Sequence, residues 1–286
     1  MVPKAYPFDY NLPAEKFPGK KTPRTAQIGC WRAHANVWSH MVLNGISSAL
    51  IFEDDVDFSV GIRDIMEGVS KQLQNVTGAR NGEPYGIVDG NSWDILTLGH
   101  CSYRLPTPEF NPAAAEKIRV WVDPHAPESD KFSSYMPDAP SKRLRLLSPS
   151  KGSACNHGYA VTRKGAMNLL YNVGGPGHNL DRAKDILLFK QLHQGVLKGF
   201  LSVPDIFTQW KVNDWRDTDI QIEWNRPQSP KSGIIGSVRE EIIGAFSNRN
   251  IWEDYENEKK GPAEEKVLVS GEELELTEEE ELLGDR

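Results

Sequence analysis

The hydrophobic pattern alternates between helical and strand periods along the chain. Apolar residues recur every three or four positions from Thr25 to Asn44, which predicts an amphipathic helix. The short β-rich run from Ser47 to Phe52 predicts a buried strand directly after it. Because helical and strand segments keep alternating, we expect an α/β architecture. The further predicted segments are a helix at Ile62–Leu73, strands at Trp93–Gly99 and Ile118–Val122, a strand, turn and helix in Gly158–Asn172 with Thr162 as N-cap, a helix at Leu180–Leu197, and a strand at Gly199–Pro204.

Three stretches lack this periodicity and suggest the domain boundaries. Residues 1–24 are rich in proline and lysine and predict an extended entry segment. Residues 253–286 hold 14 acidic and 4 basic residues and predict a disordered tail. Between them we expect one domain at 25–252. Within it, Pro106–Ser150 predicts a long irregular excursion around the strand at Ile118–Val122.

Composition narrows the classes of function. A hydrophobic content of 38% over 286 residues is enough for a sizeable core. The net charge of -7 includes -10 from the acidic tail, so the rest of the chain is mildly basic at +3, which suits an anionic small ligand. We find no dense Lys/Arg run of the kind that binds nucleic acid, and no apolar run of the roughly 18 residues that a membrane span needs. Cys30, Cys101 and Cys155 are too far apart for a CxxC zinc site, and one disulfide or three free thiols are equally allowed.

The stretch "ALIFEDDVDF" carries the candidate chemistry. Glu53, Asp54 and Asp55 follow the apolar strand, and Asp57 comes two positions later. Carboxylates at a strand end suit hard cations such as Mg²⁺ or Mn²⁺. Strand geometry would place Glu53 and Asp55 on one face. The alternative is a solvated turn in which one acid caps the next helix.

Around this stretch the sequence resembles a known family. The segment "IGCWRAHANVWSHMVLNGISSALIFEDDVDF" is similar to glycosyltransferase family 25, which includes lipooligosaccharide and collagen galactosyltransferases. The shared pattern is Gly29, Cys30, His34, Trp38 and Glu53–Asp55, and the form "GCWRAH" is most similar to the fungal branch. The later segments "GYAVTRKGA", "DILLFKQ", "VPDIFTQW" and "DTDI" resemble further family motifs in the same order.

The resemblance implies a fold, a reaction and partners. It implies a GT-A-like nucleotide-sugar-binding fold, with a mixed, mostly parallel sheet flanked by helices. It implies transfer of a hexose, often galactose, from a UDP-sugar donor to a hydroxyl on a glycan or glycoprotein acceptor, generally with inversion. It also implies dependence on Mn²⁺ or Mg²⁺, which would stabilise the charge on the leaving diphosphate.

By the same resemblance, Asp55 is the expected metal ligand, supported by Glu53 and Asp54. Asp217 and Asp219 form a second acidic motif that we expect to bind the metal or the acceptor. On the pattern alone, both acidic groups could equally be surface turns.

Asp185 is the expected catalytic base, with Asp181 as a rival. The alternative for Asp185 is an exposed helical acid paired with a neighbouring basic residue. Arg32 and His34 are the expected donor-binding residues, although a buried, hydrogen-bonded histidine is an alternative for His34. Trp210 and Trp215 are candidates for stacking on a sugar ring.

One departure from the family leads to a second hypothesis. We find no counterpart before Thr25 of the strand and helix with which the family usually begins, so we expect an N-terminally incomplete domain. The alternative function is then a donor-site-defective family member that binds carbohydrate or a partner, and a metal-dependent phosphohydrolase is a third. The expected compartment is the secretory pathway if an N-terminal anchor precedes this chain, and the cytoplasm otherwise.

Overall fold

The computed structural model describes residues 25–79, 93–109, 111–173, 183–210 and 234–246. The predicted entry segment and acidic tail fall outside them, as do Asp181, Trp215, Asp217 and Asp219. The helices are α1 (Thr25–Leu43), α2 (Ile62–Thr77), α3 (Pro112–Ala115), α4 (Arg163–Asn172), α5 (Lys184–His193) and α6 (Val238–Phe246), with a 3₁₀ helix at Asp130–Tyr135. The strands are β1 (Ser48–Phe52), β2 (Val56–Phe58), β3 (Ile95–Gly99), β4 (Ser102–Tyr103), β5 (Arg119–Val122), β6 (Leu144–Pro149), β7 (Ser153–Ala154), β8 (Gly158–Thr162), β9 (Gly199–Val203) and β10 (Phe207–Gln209).

The architecture is α/β, and its centre is a six-stranded sheet in the order β1-β8-β3-β9-β6-β5. Only β3 and β9 pair in parallel, and the other four neighbouring pairs are antiparallel. The prediction of a mixed sheet flanked by helices is confirmed, but the expectation that it is mostly parallel was wrong. The reason is that β8 inserts antiparallel between β1 and β3, so these two strands run in the same direction but are not neighbours.

Both faces of the sheet are covered by helices. Side chains of α1, α4 and α5 pack on one face, and side chains of α2 pack on the other. Successive residues of a strand point to opposite faces. Accordingly, Ile95 joins the first core cluster and Leu96 joins the second, and every residue of β3 is buried. This explains why the central strands are continuous apolar runs without polar alternation.

The excursion at Pro106–Ser150 is more regular than its composition predicts. It contains the predicted strand β5 but also β6, which is buried and pairs with both β5 and β9. The sequence "LRLLSP" does not predict a buried strand, because it contains the charged residue Arg145, which in the structure is fully buried. That guanidinium is paired with Asp123 and donates to the carbonyl of Pro204.

The N-cap of α4 is the residue that the sequence predicted, whereas α5 ends earlier than predicted. Thr162 caps α4, and its hydroxyl accepts a hydrogen bond of 2.9 Å from the backbone N–H of Gly165. Helix α5 ends at His193, earlier than predicted, because Gly195 adopts a positive φ of 73° that stops the helix. No helix in the described ranges has the length and apolar character needed to cross a membrane.

A disulfide between Cys101 and Cys155 decides between the two cysteine hypotheses and leaves Cys30 as a free thiol. It links the loop after β3 to the turn before β8. In that turn Cys155 and Asn156 have positive φ angles of 67° and 50°. The buried Asn156 side chain supports this conformation, because it hydrogen-bonds both the hydroxyl and the carbonyl of Ser153.

Candidate functional site

The acidic residues after β1 occupy a turn between two different structural units. Glu53 continues the pairing with β8, since its N–H donates to the carbonyl of His157 at 3.0 Å. Three residues later, Val56 begins β2, which pairs with β10 in a separate two-stranded sheet. The carboxylates of Glu53 and Asp55 therefore have different surroundings.

The Asp55 carboxylate has one bonded oxygen and one without a partner. Gln209 of β10 donates its amide N–H to Oδ2, and the N–H of Trp210 donates to the Asp55 carbonyl at 2.7 Å. Oδ1 is buried and has no hydrogen-bond partner among the described residues. Burial raises the pKa of the Asp55 carboxyl, and the negative charges of Glu53 and Asp54 raise it further. A buried acceptor left unsatisfied among like charges is a position that a bound cation would stabilise.

Glu53 differs from Asp55, because its carboxylate contacts side chains of α1 and α5. Its Oε1 lies 3.3 Å from Nε2 of His34 and 3.3 Å from Nζ of Lys184. Burial alone would raise the pKa of Glu53. The contact with His34 and the charge of Lys184 outweigh it and lower the pKa to about 2. Glu53 is therefore a fully ionised, paired carboxylate at neutral pH.

His34 is buried and bonded through both ring nitrogens. Its Nδ1 lies 2.8 Å from the Tyr159 hydroxyl, which also accepts a 2.9 Å hydrogen bond from the indole N–H of Trp38. Burial and the neighbouring Lys184 lower the pKa of His34, so the imidazole is neutral at pH 7. We call Cys30, His34, Glu53, Tyr159 and Lys184 the Glu53 cluster. It matches the alternative interpretation of His34 as a buried, satisfied histidine, while donor binding by His34 stays a prediction.

The other two acids of "EDDVD" are separated from this network. Asp54 is exposed, and its carbonyl accepts a 2.8 Å hydrogen bond from Arg239 of α6. Asp57 is buried and accepts from the Ser237 hydroxyl and from the backbone N–H of Arg239 at 3.2 Å, which fastens the first turn of α6. The capping acid that the pattern allowed is Asp57, and the helix it serves is α6, far away in sequence.

Asp185 and Arg32 lie on α5 and α1, the two helices that also carry members of the Glu53 cluster. Asp185, partly exposed at the start of α5, accepts a 2.9 Å hydrogen bond from the N–H of Cys155 and a second one from the N–H of Ile186. It therefore fastens α5 to the disulfide-linked turn, and its role as a base stays a prediction. Arg32 is exposed on α1. Trp210, proposed for sugar stacking, is the neighbour of Asp55 described above.

Lys184 and Gln209, which contact Glu53 and Asp55, were not identified from the sequence. Lys184 lies on the buried stripe of α5 with Leu187, Leu188 and Leu192, at helical spacing. A lysine on an apolar stripe is a signal in itself, because a buried ammonium requires a partner. Gln209 carries no comparable signal, since its contact with Asp55 depends on the pairing of β10 with β2.

Comparison with known proteins links part of this chain to a known family. A sequence model of glycosyltransferase family 25 (LPS biosynthesis protein) matches residues 16–91, which include α1, β1, the acidic turn and α2. This match supports the assignment of the chain to glycosyltransferase family 25. The matched range carries Cys30, His34 and Glu53–Asp55, and the fold is consistent with a GT-A-like domain. The later segments that hold Asp185, Asp217 and Asp219 lie beyond the match.

Curated relatives agree on the family and differ in activity. The chain is 26% identical over 95 residues to the inactive glycosyltransferase 25 family member 3 of Homo sapiens, covering 31% of this chain and 14% of the relative. It is 25% identical over 99 residues to procollagen galactosyltransferase 1 of Danio rerio, covering 34% of this chain and 14% of the relative. The matched region thus spans about a seventh of each relative's length.

Proposed function

We propose that this family 25 member is a metal-dependent glycosyltransferase that moves a hexose, such as galactose, from a UDP-sugar to a hydroxyl acceptor with inversion. The observation that supports it most directly is the Asp55 carboxylate, whose buried Oδ1 has no partner in the described part of the chain. Burial and two neighbouring acids destabilise the ionised form of this carboxylate, and a bound Mn²⁺ or Mg²⁺, which prefers oxygen ligands, would offset that cost.

In this proposal Asp55 would hold the cation, and Asp54, exposed one position earlier, is available to join it. The cation would supply Lewis-acid stabilisation of the charge on the UDP leaving group. Glu53 is a weaker candidate ligand than its position in the motif implies, because Oε1 already accepts from Lys184 and lies 3.3 Å from Nε2 of His34.

The remaining roles are proposed for residues around this turn. Asp185 would take the proton of the acceptor hydroxyl; a direct displacement requires such a base, and its carboxylate is partly open to solvent. Arg32, exposed on α1, would contact the donor diphosphate, with His34 one half-turn away. Asp217 and Asp219 remain proposed acceptor-binding residues, and a glycan or glycoprotein is the proposed acceptor.

A second candidate function is supported by the names of the relatives. The human relative is called inactive, so a domain that binds a carbohydrate or a protein partner without turnover is the alternative. The two candidates differ in whether a UDP-sugar and a metal bind together at Asp55.

The test is thermal unfolding with Mn²⁺ and either UDP-galactose or UDP-glucose. A ligand at a hundredfold excess over its Kd stabilises the folded state by about 2.7 kcal/mol, which is readily measured as a higher Tm. We expect the wild type and the control Glu67→Gln, an exposed acid on α2, to be stabilised, and Asp55→Asn not to be. No stabilisation of the wild type by either donor favours the binding-domain alternative. Release of UMP or phosphate that is unaffected by added acceptors would indicate a phosphohydrolase instead.

A further inference from the structure

The Glu53 cluster contains a donor set typical of zinc. The Cys30 sulfur, an imidazole nitrogen of His34 and a carboxylate oxygen of Glu53 all lie within 4.8 Å of one another. Cys30 and His34 are four residues apart on α1, so they share one face of the helix. Thiolate, imidazole and carboxylate are the three ligand types that Zn²⁺ takes from proteins.

The surroundings of His34 also resemble those of a metal-binding histidine. Nζ of Lys184 lies 2.9 Å from Nε2, and an ammonium has only donors, so Nε2 accepts and the ring proton is on Nδ1. On this assignment Nδ1–H donates to the Tyr159 hydroxyl, which the Trp38 indole holds in place. A hydrogen bond from the second ring nitrogen is what fixes the tautomer and orientation of a histidine ligand.

The cation in this position is the Lys184 ammonium. It contacts two of the three donor groups, at 2.9 Å to Nε2 of His34 and 3.3 Å to Oε1 of Glu53. The Lys184 side chain is only 4% exposed, and the Tyr159 ring lies 5.7 Å from its Nζ. A metal ion bound to the same lone pairs would have to displace a buried ammonium or accept strong repulsion from it.

We propose that Lys184 is a positioning residue whose ammonium fills the cation position of the Cys30–His34–Glu53 donor set and closes it to metal ions. A divalent cation is thereby directed to Asp55, two residues from Glu53, where the buried Oδ1 has no described partner. The first part, that Lys184 closes the donor set, depends only on the contacts of Lys184. The second part, that the cation binds at Asp55 instead, rests on the proposed function.

Co²⁺ is the probe for the closed donor set, because it binds the same ligands as Zn²⁺ and a thiolate ligand adds a charge-transfer band in the near ultraviolet. We expect Lys184→Met to bind Co²⁺ at least about tenfold more tightly than the wild type and to show this band. The double variant Lys184→Met/Cys30→Ser should lose it. A wild type with the same band at the same Co²⁺ concentration, or a folded Lys184→Met without it, overturns the proposal.

Two further measurements guard against misfolding of Lys184→Met. Lys184→Gln keeps a hydrogen-bond donor for Glu53 without the charge and should gain the same band. In the wild type itself, Cys30 is the free thiol among the three cysteines, so its alkylation rate reports on metal binding there. We expect Zn²⁺ to leave that rate unchanged, and protection of Cys30 by Zn²⁺ would contradict the proposal.

The part that concerns Asp55 is tested by electron paramagnetic resonance of Mn²⁺ with UDP. We expect Asp55→Asn to weaken Mn²⁺ binding by about tenfold or more and Cys30→Ser to leave it unchanged. An equal loss in both variants would place the cation in the Glu53 cluster and refute the proposal. If the wild type binds no Mn²⁺, the proposed function and the direction of the cation to Asp55 fail, whereas the Co²⁺ result still decides whether Lys184 closes the donor set.

Discussion

Glu53 and Asp55 are two residues apart in one acidic turn, and their carboxylates lie in opposite environments. Glu53 is held by a buried lysine and a histidine, and its pKa is lowered to about 2. Asp55 has one oxygen on Gln209 and one without a described partner, and burial raises its pKa. The comparison teaches that neighbouring acids at a strand end can differ in their partners: one carboxylate is paired with a lysine of the same chain, and the other keeps an unsatisfied oxygen that suits the proposed metal ion.

The largest effect should come from removing the internal cation. Lys184→Met leaves Glu53 as a partly buried carboxylate without its positive partner, and we expect a loss of about 3 kcal/mol in the free energy of unfolding. Urea unfolding at pH 7 measures it. The control is Lys190→Met on the same helix, where a less buried lysine should cost under about 0.5 kcal/mol. Equal costs for the two variants would mean that the Glu53 cluster does not stabilise the fold.

The second prediction concerns the acid sensitivity of Glu53. Because its folded pKa is about 2 and thus below the unfolded value, its contribution is complete above about pH 4.5 and is lost as the pH falls towards 2. Allowing for the partial exposure of Glu53, we expect about 2 kcal/mol of stability at neutral pH that Glu53→Gln lacks. Unfolding of both proteins between pH 6 and pH 2 should show their difference shrinking in that window. A constant difference would contradict the pairing.

The third prediction separates Asp57 from the metal-binding proposal. Asp57→Asn weakens its hydrogen bonds to Ser237 and to the first turn of α6, and we expect a loss of about 1.5 kcal/mol. The stabilisation by Mn²⁺ and a UDP-sugar should remain. Differential scanning calorimetry with and without ligand measures both. If a folded Asp57→Asn variant is no longer stabilised by Mn²⁺ and a UDP-sugar, Asp57 belongs to the metal site.

The smallest effect has the opposite sign. Asp55→Asn removes a partly buried charge that Glu53 and Asp54 repel, so the metal-free protein should gain about 0.5 to 1 kcal/mol. The exposed Asp54→Asn is the matched control and should change the stability by less than about 0.5 kcal/mol. Thermal unfolding in EDTA measures both variants. If Asp55→Asn destabilises the metal-free protein instead, Asp55 is an ordinary structural acid.

Much of the fold could be predicted because its signals are local. The period of apolar residues located α1 and β1, and Thr162 marked the start of α4, since capping depends only on neighbouring residues. Strand β6 was missed because the charge of Arg145 is compensated by Asp123, 22 positions away, which no local window contains. The direction of the strands was mispredicted for a related reason: the insertion of β8 between β1 and β3 is a long-range choice.

For the candidate site, the sequence by itself determined the family resemblance and the types of residue that are present. The order of Cys30, His34 and the acids after β1 is a local pattern, and the family match of residues 16–91 contains all of it. Only the tertiary structure decided which acid is paired. Lys184 reaches Glu53 across 131 positions and Gln209 reaches Asp55 across 154, and such contacts exist only after the helices and strands have packed. The physical reason is that the ionisation of a carboxylate depends on burial and on nearby charges, and both are properties of the assembled core.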